Sequence, residues 1–244
     1  MLQKQNPHLG RETTVWGDNT HSARAAVLAV HGRGQTPEFM REQSARLKSS
    51  GLRFYAPSAY ENSWYPHPFL EPVANNQPAL VNAIEALRIQ VAAIEAEGFS
   101  TGRIVLWGFS QGACLLSQFL LTEPAAYAAA ILFTGGYLGR GDAVVPGDEP
   151  LKGVPILMRS IESDPWVPRW RVEQTARALL TSGADVDLRI DPGSEHIITE
   201  QSMNDASWIL DQLPNQTESS GMKADSTNRH SKLSMNLEGD HPCL

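Results

Sequence analysis

The sequence predicts an α/β fold with a mostly parallel, doubly wound sheet and helices on both of its faces. Three observations predict this fold. Short apolar runs alternate with helical segments along the chain. Most of these runs lack the in-out alternation of a sheet with one wet face, which is typical of parallel strands buried on both sides. A serine flanked by glycines stands between one such run and the helical segment that follows it.

Apolar runs rich in Val, Ile and Leu predict five strands, at residues 27–30, 104–107, 130–133, 155–158 and 186–190. Residues 54–56 are a weaker strand candidate. Residues 13–16 are a candidate edge strand. No internal repeat is found.

Helical periodicity separates these strands. Apolar side chains three or four residues apart predict helices over residues 80–94, 172–180 and 203–213. Gly98 and Gly183 follow the first two stripes, and we expect these glycines to end the helices.

Thr36 and Pro37 predict the start of a further helix, as its N-cap and its first residue. Gly51 is expected to close that helix. Residues 113–121 predict another helix, which begins directly after the glycine-flanked serine.

A single domain is expected over residues 1–213, since 244 residues leave little room for a second core. From Pro214 onward the chain is rich in Ser, Asn, Thr, Gly and charge, so a disordered C-terminal tail is predicted for residues 214–244.

Composition and the lengths of the apolar runs argue against several kinds of partner and several cellular locations. The chain carries 20 basic and 27 acidic side chains, a formal charge of -7, and it has no basic stripe, so nucleic acid is not an expected partner. Its apolar runs are far shorter than the roughly 20 residues that cross a bilayer, so no stable membrane insertion is expected. The polar N-terminus offers no secretory signal, and Cys114 and Cys243 form no disulfide or metal pattern. A cytoplasmic location is therefore expected.

The clearest chemical motif is Gly108-Phe109-Ser110-Gln111-Gly112. A G-x-S-x-G sequence between a strand and a helix is typical of a strained turn that exposes the serine hydroxyl. Small residues on either side let the backbone close, and the helix N-terminus behind the serine favours developing negative charge. Ser110 is therefore the predicted nucleophile.

An activated serine needs a base, and that base needs an orienting acid. The only histidines after Ser110 are His196, His230 and His241, and the last two lie in the predicted tail. His196 is therefore the predicted base. Asp164, in a loop after a predicted strand, is the preferred acid, with Glu162 and Asp191 as alternatives.

An oxyanion hole needs two donors, and the backbone amides of Gln111 and Arg33 are the candidates. Arg33 lies in the glycine-flanked loop Val30-His31-Gly32-Arg33-Gly34. His31 is interpreted as a packed loop histidine. The Arg33 side chain is expected to point to solvent, or alternatively to pair with an anionic substrate group. Cys114, one turn after Ser110, is interpreted as a small buried thiol.

Five segments together resemble the bacterial phospholipase/carboxylesterase family of α/β hydrolases, close kin of acyl-protein thioesterases. They are LAVHGRGQT (residues 28–36), APSAYENSWYP (56–66), GFSQGA (108–113), SDPWVP (163–168) and PGSEH (192–196), and the similarity spans residues 25–213. The resemblance implies an α/β-hydrolase fold, the triad Ser110, Asp164 and His196, an oxyanion hole at Arg33 and Gln111, and hydrolysis without a cofactor.

The same resemblance places Trp64 and Tyr65 on an aromatic loop beside the acyl pocket. From the residues alone, this segment is a proline-stiffened surface loop with partly buried aromatics. The sequence departs from the family pattern before the acid, where Ser160-Ile161 replaces the frequent His-Gly, and before the base, where Glu195 is expected to face solvent. Trp166 is expected to narrow the pocket.

The motifs predict a serine hydrolase, and the residues show no metal-ligand spacing. The resemblance implies that this hydrolase cleaves short-chain esters or thioesters through an acyl-enzyme and without a cofactor. The connection between residues 135 and 153 is too short for a large cap, so an open cleft is expected. Two alternatives stay open: a ligand-binding protein of the same fold without turnover, and dienelactone hydrolysis or acyl transfer on the same triad. A small acyl ester or thioester is the expected partner, and a homodimer is a further possibility.

Overall fold

One seven-stranded sheet organises this computed structural model, which describes residues 6–145 and 147–214. In chain order the strands are β1 (Thr13–Gly17), β2 (Ala25–Val30), β3 (Leu52–Pro57), β4 (Ile104–Phe109), β5 (Ala129–Phe133), β6 (Pro155–Ile161) and β7 (Asp185–Asp191). Their order across the sheet is β1-β3-β2-β4-β5-β6-β7. β1 runs antiparallel to β3, and every other neighbouring pair is parallel. The mostly parallel sheet predicted from the sequence is confirmed.

Five α-helices cover this sheet: α1 (Pro37–Ser44), α2 (Ala79–Ala96), α3 (Gln111–Thr122), α4 (Arg169–Thr181) and α5 (Glu200–Asp211). Apolar residues of α2, α3 and α4 pack in one core cluster, and those of α1 and α5 pack in another. The helices therefore lie on both faces of the sheet, as in a doubly wound fold.

Strand β2 shows why the residues within each apolar run do not alternate between apolar and polar. Its residues Ala26, Leu28 and Val30 belong to the first cluster, and the residues between them belong to the second. Because successive side chains of a strand point to opposite faces, a sheet covered on both sides needs an apolar residue at every position.

The helix that begins at Pro37 ends at Ser44, so the prediction that Gly51 closes it was wrong. Beyond the helix the chain bonds to α5 instead: the Lys48 amide donates to Ser207 Oγ, and Ser49 Oγ donates to the Ser207 carbonyl. Gly51 has a positive φ of 74° and accepts a hydrogen bond from the Arg24 amide, so it forms the turn into β3. Tertiary hydrogen bonds therefore replace the last helical turn expected there.

A network of ion pairs ties α5 to strands β6 and β7. Arg159, whose side chain is only 5% exposed, lies 2.7 Å from carboxylate oxygens of both Asp187 and Asp205. Arg189 contacts Asp205 as well, and lies 2.6 Å from Asp191. Burial alone raises the pKa of Asp205, but the hydrogen bonds from its arginine partners and Gln201 outweigh it and hold that pKa below its usual value. The network fixes the strand end from which the loop 192–198 departs.

No helix in the described part of the chain is long and apolar enough to span a membrane. The predicted tail, apart from Pro214, lies outside the described residues, together with Cys243, His230 and His241. The disorder expected there stays a prediction.

Parallel strands bring their carboxyl ends to one edge of the sheet, and the predicted site residues follow those ends. His31 follows β2, Ser110 follows β4, Asp164 comes three residues after β6, and His196 lies in the loop after β7. Ligands of open α/β sheets bind outside the carboxyl ends of the strands. The fold therefore gathers these residues at the edge where a site is expected.

Candidate active site

Ser110 occupies a strained turn between β4 and α3. Its backbone angles are φ 54° and ψ −121°, a conformation that costs a residue with a Cβ about 1–3 kcal/mol. Two backbone bonds hold it: the Ser110 amide donates to the Phe133 carbonyl at 3.0 Å, and the Ser110 carbonyl accepts from the Cys114 amide at 2.9 Å. The neighbouring strand and the first turn of α3 therefore fix the serine.

The two glycines of the motif are required by packing. A Cβ on Gly108 would lie 2.7 Å from the Ala113 nitrogen, and a Cβ on Gly112 would lie 2.0 Å from the Val30 carbonyl oxygen. Both contacts are with backbone, which cannot move aside as a flexible side chain can. The G-x-S-x-G spacing therefore follows from how closely α3 packs on β4 and β2.

His196 and Asp164 form a direct hydrogen bond, with 2.6 Å between Nδ1 and Oδ2. The other carboxylate oxygen, Oδ1, accepts from the amides of Trp166 and Val167, both at 2.9 Å. Burial alone raises the pKa of Asp164, but the hydrogen bonds from His196 and from the two amides together hold it below its usual value. Asp164 is therefore an ionised acceptor to which the Nδ1–H of His196 donates a hydrogen bond.

The second ring nitrogen of His196, Nε2, is free to accept a proton. This nitrogen is buried and has no hydrogen-bond partner among the described residues. The imidazole packs against Phe109, with 5.1 Å between ring centroids, and it lines the same cavity as Ser110. A proton on Nδ1 leaves a lone pair on Nε2, which is the state a general base needs.

The two alternative acids are engaged elsewhere. Glu162 is exposed and pairs with Arg169 at 3.3 Å. Asp191 ends β7 and binds Arg189 and Thr199. Asp164 is therefore the one of the three candidates that contacts the His196 ring.

The two candidate oxyanion donors line the same cavity as Ser110. Gln111 is the first residue of α3, so its N–H has no acceptor within the helix. In the loop after β2, the Gly32 amide donates to Gln35 Oε1 and the Gly34 amide to the Asn62 carbonyl. The Arg33 amide between them has no acceptor within the described residues, so both N–H groups are available.

The side chains of Gln111 and Arg33 hold the aromatic loop, residues 63–67, a role the sequence did not reveal. Gln111 accepts from the Trp64 amide at 2.9 Å and donates to the Tyr65 carbonyl at 2.8 Å. Arg33 donates to the carbonyls of Tyr65, Pro66 and His67 at 2.7–2.9 Å. Arg33 is exposed, as expected, and its guanidinium also binds three backbone carbonyls of the aromatic loop.

A cavity of about 500 Å³ opens beside Ser110. Of the predicted pocket residues, Tyr65 and Trp166 line it, whereas Trp64 does not. Trp166 is 72% exposed. The remaining lining residues are Arg33, Pro68, Phe69, Ser110, Gln111, Cys114, Val167 and His196.

Trp64 is a fully buried residue of the aromatic loop and does not line the cavity, so the prediction that it lines the acyl pocket is not met by this structure. Its ring lies between His8 and His31, at centroid distances of 5.4 and 5.1 Å, and its Nε1 donates to the His31 carbonyl. Trp64 and Tyr65 are more deeply buried than the partly buried aromatics expected from the residues alone. Trp64 anchors the aromatic loop in the core, and Tyr65 lines the cavity.

His31 has the structural role interpreted from the sequence. Its Nδ1 lies 2.8 Å from the Gly32 carbonyl and its Nε2 accepts from the Ala59 amide at 3.2 Å, so the neutral ring carries its proton on Nδ1. His8 accepts from the next amide, that of Tyr60, through its Nδ1. Two neutral imidazoles thus hold two successive amides just before the aromatic loop.

This pair of histidines predicts a loss of stability in acid. Burial is the main cause that lowers the pKa of both His8 and His31 below 6.5. The unfolded chain therefore takes up protons first as the pH falls. The stabilisation that the two histidines provide is complete above about pH 6.5 and declines as the pH falls towards their folded-state pKa values. Melting temperatures measured from neutral to acid pH should fall less steeply in His31→Gln than in the parent protein. The exposed His21→Gln is the control, and an unchanged slope in His31→Gln would contradict this assignment.

Cys114 is buried, as interpreted, and forms part of the cavity wall. Burial raises the pKa of its thiol to about 12, so the reactive thiolate is scarce at neutral pH. Its sulfur accepts from the Gly136 amide at 3.5 Å. A packing role therefore fits this residue better than nucleophilic chemistry.

Histidine, cysteine and carboxylate side chains form no group of three or more that could hold a metal ion within residues 6–145 and 147–214. At the site, His196 and Asp164 bind each other, and the Cys114 sulfur accepts from the Gly136 amide. The arrangement provides a hydroxyl, an imidazole with a free nitrogen, a buried carboxylate and two free amides. These are the groups that acyl transfer through a serine requires.

The sequence model of the Phospholipase/Carboxylesterase family matches residues 17–213. The chain belongs to this family. The resemblance stated from the motifs is thereby confirmed, and with it an α/β hydrolase of the esterase and thioesterase type. The described residues between β5 and β6 contain no helix or strand that could form a large cap.

Solved structures agree with this family. A phospholipase/carboxylesterase from Dyadobacter fermentans is 33% identical, with a TM-score of 0.77 over 84% of this chain and 96% of that one. Esterase PE8 is 22% identical, with a TM-score of 0.70 over 84% and 99% of the two chains. A Bacillus cereus carboxylesterase is 16% identical, with a TM-score of 0.68 over 84% and 95%. At these lower identities the likeness shows the fold alone.

Proposed function

We propose that this protein is a serine hydrolase that cleaves short-chain carboxylic esters or thioesters through the triad Ser110, His196 and Asp164. One observation carries the proposal: the His196 imidazole is bound to a buried carboxylate through Nδ1, its Nε2 is free, and it lines one cavity with a serine held on a strained turn. A serine needs this combination to become a nucleophile at neutral pH.

In the first half of the reaction, Ser110 Oγ attacks the acyl carbonyl carbon and His196 Nε2 takes the hydroxyl proton. Asp164 stabilises the imidazolium that forms. Collapse of the tetrahedral intermediate breaks the bond to the alcohol or thiol, which leaves with the proton from His196. Water then attacks the acyl-enzyme by the same route, and Ser110 recovers its proton.

The amides of Arg33 and Gln111 are proposed to bind the oxyanion of both tetrahedral intermediates. Their N–H groups are free, both residues line the Ser110 cavity, and the Gln111 N–H also lies at the N-terminus of α3. The side-chain bonds of Arg33 and Gln111 to the aromatic loop keep these two residues in place.

The cavity suits a small-molecule substrate. Its volume of about 500 Å³ is in the usual range for such sites, and its walls of Tyr65, Phe69 and Val167 suit an apolar acyl chain next to the carbonyl. A thioester and an ester present the same carbonyl to Ser110. A chain-length series of aryl esters and matched thioesters is therefore expected to give the highest kcat/KM for short chains.

Covalent labelling tests the proposed nucleophile directly. A fluorophosphonate should react once per chain, and mass spectrometry of the digested protein should locate the adduct on Ser110. Prior incubation with a short-chain aryl ester should slow the reaction. A folded protein that binds a small ester but takes up no label would contradict the proposal and favour a binding protein without turnover. Label on another residue would also contradict it.

A further inference from the structure

Arg33 is the one residue with a permanently charged side chain among those that line the Ser110 cavity. The other walls are mainly apolar, formed by residues such as Pro68, Phe69 and Val167. Carboxylates are missing from this set of lining residues. Arg33 therefore gives this wall an exposed cationic residue with no acidic neighbour among the lining residues.

The position of this guanidinium is fixed. Nη1 donates to the Pro66 carbonyl and Nη2 donates to the carbonyls of Tyr65 and His67. Its carbon lies 5.8 Å from the centre of the Tyr65 ring. Backbone carbonyls neutralise only part of its charge, because they are dipoles and carry no net negative charge.

Donor capacity remains on Arg33 after these bonds. A guanidinium has five N–H donors, and three bonds are formed here, which leaves the Nε–H and one Nη1–H. Arg33 lies within 4.0 Å of no carboxylate in residues 6–145 and 147–214. An oxyanion from outside the chain can therefore use both the free donors and the unpaired charge.

The carboxylate of the triad is not among the groups that line this cavity. The Asp164 side chain is fully buried, and its oxygens already accept from His196, Trp166 and Val167. The net charge of -7 disfavours anions at long range, but charges more than about 8 Å away are largely screened at physiological salt. The contact between Arg33 and the anionic group therefore decides whether the site prefers an anionic or a neutral substrate.

We propose that Arg33 is a specificity-determining residue that selects substrates carrying a carboxylate close to the ester or thioester carbonyl. The substrate class is thus a monoester of a short dicarboxylic acid, or an ester of a short hydroxy acid. This inference rests on the proposed function of Ser110, because Arg33 acts on substrates that the triad cleaves.

Isosteric substrate pairs test the proposal. Monoethyl succinate is compared with ethyl succinamate, in which a neutral amide replaces the carboxylate on the acyl side. 3-Acetoxybenzoate is compared with 3-acetoxybenzamide, which places the same change on the alcohol side. The measured quantity is the ratio of kcat/KM for the anionic member to that for the neutral member. The pair with the higher ratio tells on which side of the carbonyl the anion binds.

The parent protein should show a ratio on the order of tenfold higher than Arg33→Gln for at least one pair, since a hydrogen bond to a charged group is stronger than one to a neutral group. Arg33→Lys should keep part of the preference. Arg88→Gln, an exposed position on α2, changes the net charge equally and should leave the ratio as in the parent. Raising the salt concentration to about 1 M should lower the ratio in the parent protein and not in Arg33→Gln.

The outcomes separate this inference from the proposed function. If Arg33 only holds the aromatic loop, Arg33→Gln lowers both members of each pair equally and the ratios stay the same, which overturns the inference and leaves the hydrolase intact. If the parent protein cleaves none of the four esters, nor any short aryl ester, the proposed function fails as well.

Discussion

Replacing Ser110 with alanine is expected to lower kcat/KM for a short aryl ester by about 10⁴-fold or more, since loss of a triad nucleophile leaves only binding and the oxyanion hole. The substitution should not disturb the fold. The Ser110 hydroxyl donates to no acceptor in the described residues, and alanine keeps the Cβ that the turn already accommodates. Initial rates and melting temperature are measured on the same preparation, and only the rate should fall.

Ser194→Ala is the matched control for this substitution. Ser194 is exposed in the loop that carries His196, so removal of its hydroxyl changes a serine close to the site. Its activity should stay near that of the parent protein. Hydrolysis at the parent rate in Ser110→Ala would remove the proposed mechanism, because no other described serine occupies a comparable strained turn.

Much of the proposed triad could be predicted, because Ser110 lies in a local motif and few other residues could supply the base and the acid. The glycines around Ser110 are imposed by backbone packing, so the motif carries its structural context with it. His196 followed by elimination among three histidines. Asp164 was preferred over Glu162 and Asp191, and the structure adds the reason: it alone of the three bonds to the His196 ring.

The interactions that hold the site residues in place could not be predicted, because they join distant parts of the chain. The bonds from Arg33 and Gln111 to the aromatic loop join segments more than 30 residues apart and leave no periodic pattern. The burial of Trp64 between two histidines has the same origin. The early end of α1 at Ser44 also arises from tertiary bonds, here to α5.

Replacing Asp164 with asparagine is expected to lower kcat by about 10⁴-fold, as happens when the triad acid loses its charge but keeps its shape. The local geometry determines how the new amide is oriented. The amides of Trp166 and Val167 need an acceptor at the position of Oδ1, so the carbonyl oxygen of asparagine should stay there. The NH₂ group then faces His196 Nδ1, which must give up its proton to accept. The imidazole proton moves to Nε2, and the base loses the lone pair it needs.

Glu162→Gln is the control that distinguishes the candidate acids, since Glu162 is exposed and pairs only with Arg169 among the described residues. It should keep nearly full activity. The rate of fluorophosphonate labelling should fall with kcat in Asp164→Asn, because both depend on deprotonation of Ser110 by His196. A larger loss in Glu162→Gln than in Asp164→Asn would assign the acid to the other carboxylate. A fall in kcat with an unchanged labelling rate would place the effect of Asp164 after acylation, in the attack of water.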